Sequence, residues 1–201
     1  MIKRLLLTLT ATLACLATTG LAAISFGPTG TQILTFDAQP TVADGWSTLG
    51  VGNNAATFTS DTLMDAAVIA NTVAATVSTA LGSSTTLPPS KNAIARYNGA
   101  GHYLQSRPTA VDYTLLMATL QNDSINTLSS VTVSYTFGAL VASGLTIQEE
   151  VPGFRVFYSL TGEANSWTLI PELSGVGTSG NLSAVVNLAS GWAPGAPLYL
   201  L

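Results

Sequence analysis

The sequence predicts an all-β protein: an antiparallel β-sandwich of jelly-roll type with one short helix at about residues 62–72. Three observations carry that prediction. Short stretches of alternating or continuous apolar residues recur between clusters of Gly, Pro, Asn and Asp. Only 8% of residues are charged, against roughly 25% in ordinary soluble domains, so Thr, Ser, Asn and Gly must keep the surface wet, as hydroxyls do on the open face of a sheet. Finally, there is no βαβ rhythm and no repeat at a solenoid period.

Taken in order, residues 31–36 (TQILTF) alternate polar and apolar positions and predict a first strand, ended by Asp37, Pro40 and Gly45. Strand signals follow at 46–48 (WST) and 55–59 (AATFT). Residues 61–81 differ: they are rich in Ala and hold neither Gly nor Pro. Leu63, Ala66, Ala67, Ala70, Val73 and Ala74 recur near a 3.6-residue period, and Ser60 or Asp61 can cap the start, which predicts the helix. Thr72, Val73, Thr76, Val77 and Thr79 are β-branched and weaken its second half. A turn-rich loop at 82–90 comes next, then strands at 93–96 and 103–107 around a Gly-rich turn at 98–101. The near-continuous apolar run 113–121 (YTLLMATLQ) predicts a central strand covered on both faces. Residues 131–137 (VTVSYTF) put Val131, Val133, Tyr135 and Phe137 on one face and hydroxyls on the other. Residues 153–160 and 167–170 read as a pair joined by a turn at 161–165, and 182–188 alternates again.

The first 23 residues read as a secretory leader. Lys3 and Arg4 precede an apolar run at 5–17, and small residues at 18–23 supply a cleavage site near Ala22 or Ala23. A membrane-spanning helix needs about 20 apolar residues; this run is shorter and interrupted by Thr8, Thr10 and Thr12. A lipid-modified Cys15 is a third reading, but Thr12 stands where the lipobox has Leu. Cleavage leaves a single domain, 24–201, without cysteine and with ten carboxylates against four cations (Lys91, Arg96, Arg107, Arg155). Such a balance argues against nucleic acid and anionic lipid as partners, and against a disulfide-stapled scaffold. The last residues, PLYLL at 197–201, look like a strand that stops without a polar exit, so the sandwich is expected to be truncated at its C-terminal end.

Several segments resemble a known group. These are FD at 36–37 followed by GWST at 45–48, RPT at 107–109, LLMATLQN at 115–122, Tyr135 with Phe137, Glu149-Glu150, PGFRVFYSL at 152–160, Thr161-Gly162, Trp167, and the final LYLL. The chain resembles uncharacterised β-sandwich regions in secreted proteins of environmental bacteria, often multidomain chains with PEP-CTERM-type sorting tails. The resemblance implies a cell-surface or extracellular location and carries structural motifs but no activity. In that group the last strand runs into an acidic turn and a closing strand, and this chain stops before both.

Candidate chemistry is sparse. His102, the single histidine, sits in a Gly-rich turn; a triad would need a nucleophile and a carboxylate beside it, and no G-x-S-x-G elbow occurs. One His and no mature Cys do not make a zinc site. Glu149 and Glu150 are adjacent, so in a strand they face opposite ways and cannot form a glycosidase dyad alone; Asp112 or Asp123 would have to complete it. Asp37, Asp44, Asp61 and Asp65 are the carboxylates a structural Ca²⁺ would use, without the spacing of a calcium loop. Arg96, Arg107 and Arg155 fall in or beside strands, where a guanidinium can clamp a carboxylate such as Glu149 or Glu150 bidentately. Trp46, Trp167, Trp192, Tyr97, Tyr103 and Tyr158 are the rings a sugar-binding face would use, with Tyr97 and Tyr103 the pair to test and Trp167 a core candidate. Asn122-Asp-Ser124 and Asn181-Leu-Ser183 match the N-glycosylation pattern.

The expectation is therefore a non-catalytic secreted or cell-surface module, a structural or adhesion-like part of a larger extracellular protein, needing no cofactor. Its partners would be polysaccharide or other surface proteins, and it would meet the membrane only through its leader. A carbohydrate-binding module and a sandwich-fold glycoside hydrolase or lyase are the alternatives. The first of these predicts an exposed aromatic strip; the second predicts two carboxylates converging across a groove.

Overall fold

The computed structural model describes residues 22–52, 60–87, 89–107, 112–138, 153–175 and 179–201. Residues 1–21 of the expected leader, the strand expected at 55–59 and Glu149-Glu150 lie outside the described residues. Eleven strands are present among the described residues: β1 Ile24–Phe26, β2 Trp46–Gly52, β3 Gly82–Ser83, β4 Arg96–Asn98, β5 Tyr103–Gln105, β6 Asp112–Asn122, β7 Leu128–Phe137, β8 Phe157–Ser159, β9 Thr168–Leu169, β10 Gly180–Trp192 and β11 Pro197–Leu200. One helix, α1 Asp61–Asn71, joins them. The chain is all-β, with a single short α-helix among the described residues, one residue from the expected bounds. No described helix is long and apolar enough to cross a membrane.

β6 organises the largest sheet. Antiparallel β2 and then parallel β1 run along one edge of it; antiparallel β11 runs along the other and carries β8 and β9 beyond. The two parallel contacts, β1 on β6 and β3 on β4, correct the expectation of a purely antiparallel fold. β1 and β2 meet over Gly45, whose φ is +82° and where a Cβ would lie 2.7 Å from the Thr119 carbonyl oxygen and 2.8 Å from the Ile24 nitrogen. Only glycine fits that junction. β11 lies between β6 and β8, so the last strand of the chain is interior to the sheet.

Two cores flank β6, as its unbroken apolar run requires. On one face Ala118 and Leu120 join Leu198, Ile170, Leu173 and Trp192, closed over by the β7–β10 ribbon through Val131, Ala184, Val186 and Leu188. The inward side of the ribbon is the one its alternation predicts. On the other face Leu115 and Met117 pack with Phe157, Trp167, Tyr199, Ala74, Val77 and Val68 of α1. Burying a side chain such as Phe157 or Leu198 (2% and 0% exposed) contributes about 1.5–3 kcal/mol.

α1 starts at Ser60, whose hydroxyl accepts from the Leu63 amide at 3.3 Å. It stops at Asn71 because the β-branched residues that follow favour extended backbone, and the Trp167 indole donates to the Thr72 carbonyl at 2.8 Å. Residues 31–36 form no strand. Gln32 and Phe36 adopt φ of +66° and +54°, which breaks an extended run, and Ile33 is 89% exposed.

Candidate functional site

The Gly-rich turn and its flanking tyrosines form the small sheet β3–β4–β5. β4 and β5 pair as a hairpin with Arg96 opposite Gln105, Tyr97 opposite Leu104 and Asn98 opposite Tyr103; β3 adds Gly82 beside Arg96. Side chains alternate along each strand, so Arg96, Asn98, Tyr103 and Gln105 share one face and Tyr97 points to the other. Tyr97 is 6% exposed and its hydroxyl donates to the Phe36 carbonyl at 2.9 Å. Tyr103 is half-buried and its phenol accepts from the Asn98 amide at 3.1 Å. The structure therefore does not bring the two tyrosines together as one stacking platform. Asn98 also holds the turn, its Oδ1 accepting from the amides of Ala100 and Gly101 at 3.0 Å each.

The other rings are occupied. Trp167 and Trp192 are core residues whose indoles donate to backbone carbonyls. Trp46 meets Phe36 edge-on at 5.3 Å, and the Tyr158 hydroxyl donates to the Asn187 carbonyl at 3.1 Å. His102 is exposed, in the left-handed region (φ +57°), with Nδ1 3.3 Å from the Phe36 carbonyl oxygen rather than beside a carboxylate.

Among the carboxylates, Asp61 and Asp65 converge, but on a cation. Both lie on α1 four residues apart and so on one helix face. Arg155 Nε donates to Asp65 Oδ1 at 2.8 Å, Nη2 pairs with the second Asp65 oxygen, and Nη1 lies 3.4 Å from Asp61 Oδ2. The hydrogen bond to Asp65 is the main cause that raises the Arg155 pKa. The bidentate clamp foreseen for Arg155 thus exists on Asp65. Asp44 closes a turn with the amide and hydroxyl of Thr41 at 2.9 and 2.7 Å, and the hydroxyl bond is what lowers its pKa most. The Thr35 hydroxyl donates to Asp37 at 2.6 Å. Among the described residues no three His, Cys, Asp or Glu side chains gather as a metal site would need.

A cleft of about 270 Å³ opens beside the second core, lined among others by Ala22, Gly45, Thr119, Glu163 and Tyr199. Burial, then the charge of Glu163, raises the Tyr199 pKa. The phenol there stays neutral and offers a hydrogen-bond donor, beside one exposed carboxylate.

Of the two glycosylation sequons, Asn122 is 0% exposed with both amide ends bonded. Asn181 is exposed, its Oδ1 accepting from Thr136 at 2.8 Å. Two features escaped the sequence reading though signals existed. The i, i+4 spacing of Asp61 and Asp65 marks a cation seat, and a four-residue turn between Asn98 and Tyr103 already puts Tyr97 on the opposite face. No family model matches the chain, and no curated protein or solved structure matches it either.

Proposed function

We propose that the chain is an exported, non-catalytic surface module, a structural or adhesion-like part of an extracellular assembly. The observation that carries this reading is the outer face of the β7–β10 ribbon. Ser134 and Ser183 bond across the strands at 2.7 Å, Thr136 and Asn181 at 2.8 Å, and no Asp, Glu, Lys or Arg lies on either strand. Such a hydroxyl-tiled sheet stays wet without charge and presents a broad, neutral, hydrogen-bonding surface. The leader pattern, the low charge and the resemblance to sandwich regions of secreted bacterial proteins point the same way, and a jelly-roll arrangement is the form this reading gives the fold. The test is to incubate the purified chain with a panel of insoluble and soluble polysaccharides, scoring retention and reducing ends together. A surface module is retained or inert and releases no ends; release of reducing ends would make the chain a hydrolase or lyase.

A further inference from the structure

The cations of the described chain are placed unevenly. Arg155 is committed to Asp65 and Asp61; Lys91, Arg96 and Arg107 all fall between residues 91 and 107 and form no ion pair among the described residues. No Asp or Glu occurs in the sequence between Asp65 and Asp112. The three share one lobe: Arg107 bonds the Asn92 amide through its carbonyl at 2.9 Å and donates from Nη1 to the Pro89 carbonyl at 3.2 Å. In a chain of formal charge −4 this stretch supplies three cations and no carboxylate of its own.

Arg96 is its centre. It is half-buried, its Nε is sealed from solvent without an acceptor, and it makes no hydrogen bond or ion pair with the described chain. Gln105, directly opposite in the register, leaves Oε1 buried and unpartnered while Nε2 is held by the Ser84 carbonyl at 3.1 Å. The stem of Arg96 passes beside Gly82, where a Cβ would stand 3.4 Å from its Cγ. Buried polar groups in folded proteins are nearly always satisfied, and each exception asks for a reason. The sealed Nε and Gln105 Oε1 are out of a ligand's reach, but the Nη edge of the same guanidinium also has no partner among the described residues and is not sealed, which leaves it to a group from outside the chain.

We propose that this face of β4 and β5 binds a carboxylate-bearing polysaccharide. The outer edge of the Arg96 guanidinium takes the planar carboxylate as a fork, and the half-buried ring of Tyr103 on the same face borders the sugar, held in place by the buried Asn98 amide. Lys91 and Arg107 add positive charge along the polymer. A nucleic acid fits worse, because three cations neutralise few phosphates. The inference goes beyond the module reading and does not depend on export.

Affinity electrophoresis of the full chain through gels cast with polygalacturonate, dextran or single-stranded DNA tests it. Polygalacturonate should retard the protein, dextran should not, and DNA should retard it less. Arg96→Gln should weaken retardation about tenfold or more, and Arg96→Lys should restore it only in part, since an ammonium keeps the charge and loses the fork. Equal retardation by dextran, stronger retardation by DNA, no retardation by polygalacturonate, or an unaltered Arg96→Gln would each overturn the proposal. If Arg96→Gln does not fold, galacturonic acid titrated into the unmodified protein decides instead. The Arg96 Nε–H resonance should move with galacturonic acid and not with galactose; a resonance that ignores both sinks the assignment.

Discussion

Asn122 ends β6 with every polar atom of its side chain used. Its Nδ2 donates to the carbonyls of Asn126 and Trp192 at 3.0 and 2.8 Å, and its Oδ1 accepts from the Ser124 amide and hydroxyl at 3.0 and 2.6 Å. A methyl group there would leave buried donors and acceptors unmatched, so Asn122→Ala should lower the unfolding free energy by about 2–4 kcal/mol, read from urea denaturation. The same burial should keep Asn122 unmodified in any glycosylating host, leaving Asn181 as the accessible sequon. Asp44 gives a second residue-level outcome. Its hydrogen bonds from Thr41 favour the ionised form, so its folded pKa lies below the ordinary 3.8. The associated stability is present above 3.8 and is lost as pH falls through the lower folded value. NMR titration should find that depression, and Thr41→Val should remove most of it. The exposed position keeps the energy small.

Among the elements, α1 is lightly anchored, with Val68 its only fully buried residue. The Arg155 fork on Asp65, with side chains 19% and 15% exposed, ties the helix to the segment entering β8. Asp65→Ala leaves that guanidinium without its main partner, and amide exchange within α1 should quicken by about tenfold or more, while the β6 amides change far less. Unchanged α1 exchange would mean that the pair is ornamental. The elements legible in the sequence were those whose period and burial agree. β6 read as covered on both faces because both of its faces are, β7 because one is, and α1 because its alanines recur at helical spacing. Residues 31–36 misled because alternation says nothing of two positive-φ residues, and β1 went unread because its partner lies almost a hundred residues away in sequence. In the candidate site the sequence groups Arg96 and Arg107 with Arg155 as carboxylate clamps, and only the structure separates them, by placing Arg155 on Asp65 and leaving the other two without an ion pair among the described residues.

At the scale of the whole molecule, tyrosine burial sets the alkaline limit of the fold. Burial pushes the Tyr135 pKa up from 10.0 to about 12, its hydroxyl donating to the Leu173 carbonyl at 2.9 Å, and raises Tyr113 and Tyr199 in the same direction. Unfolded tyrosines lose their protons first, so this contribution is complete below pH 10 and declines as pH rises toward 12. Urea midpoints should therefore fall between pH 9 and pH 11, and Tyr135→Phe should flatten that fall. The charge distribution is equally global: after Glu172 the sequence holds no charged side chain, and hydroxyls and amides must keep the β7–β10 surface in water. The proposal that ties these features together is export to a surface role. It is tested most directly by expressing the chain from its own first codon in a bacterial host, shaving intact cells with protease and measuring the intact mass of the recovered protein. The account predicts a protease-accessible protein whose first residue follows Ala22 or Ala23. A protected protein that retains residues 1–23 would contradict it.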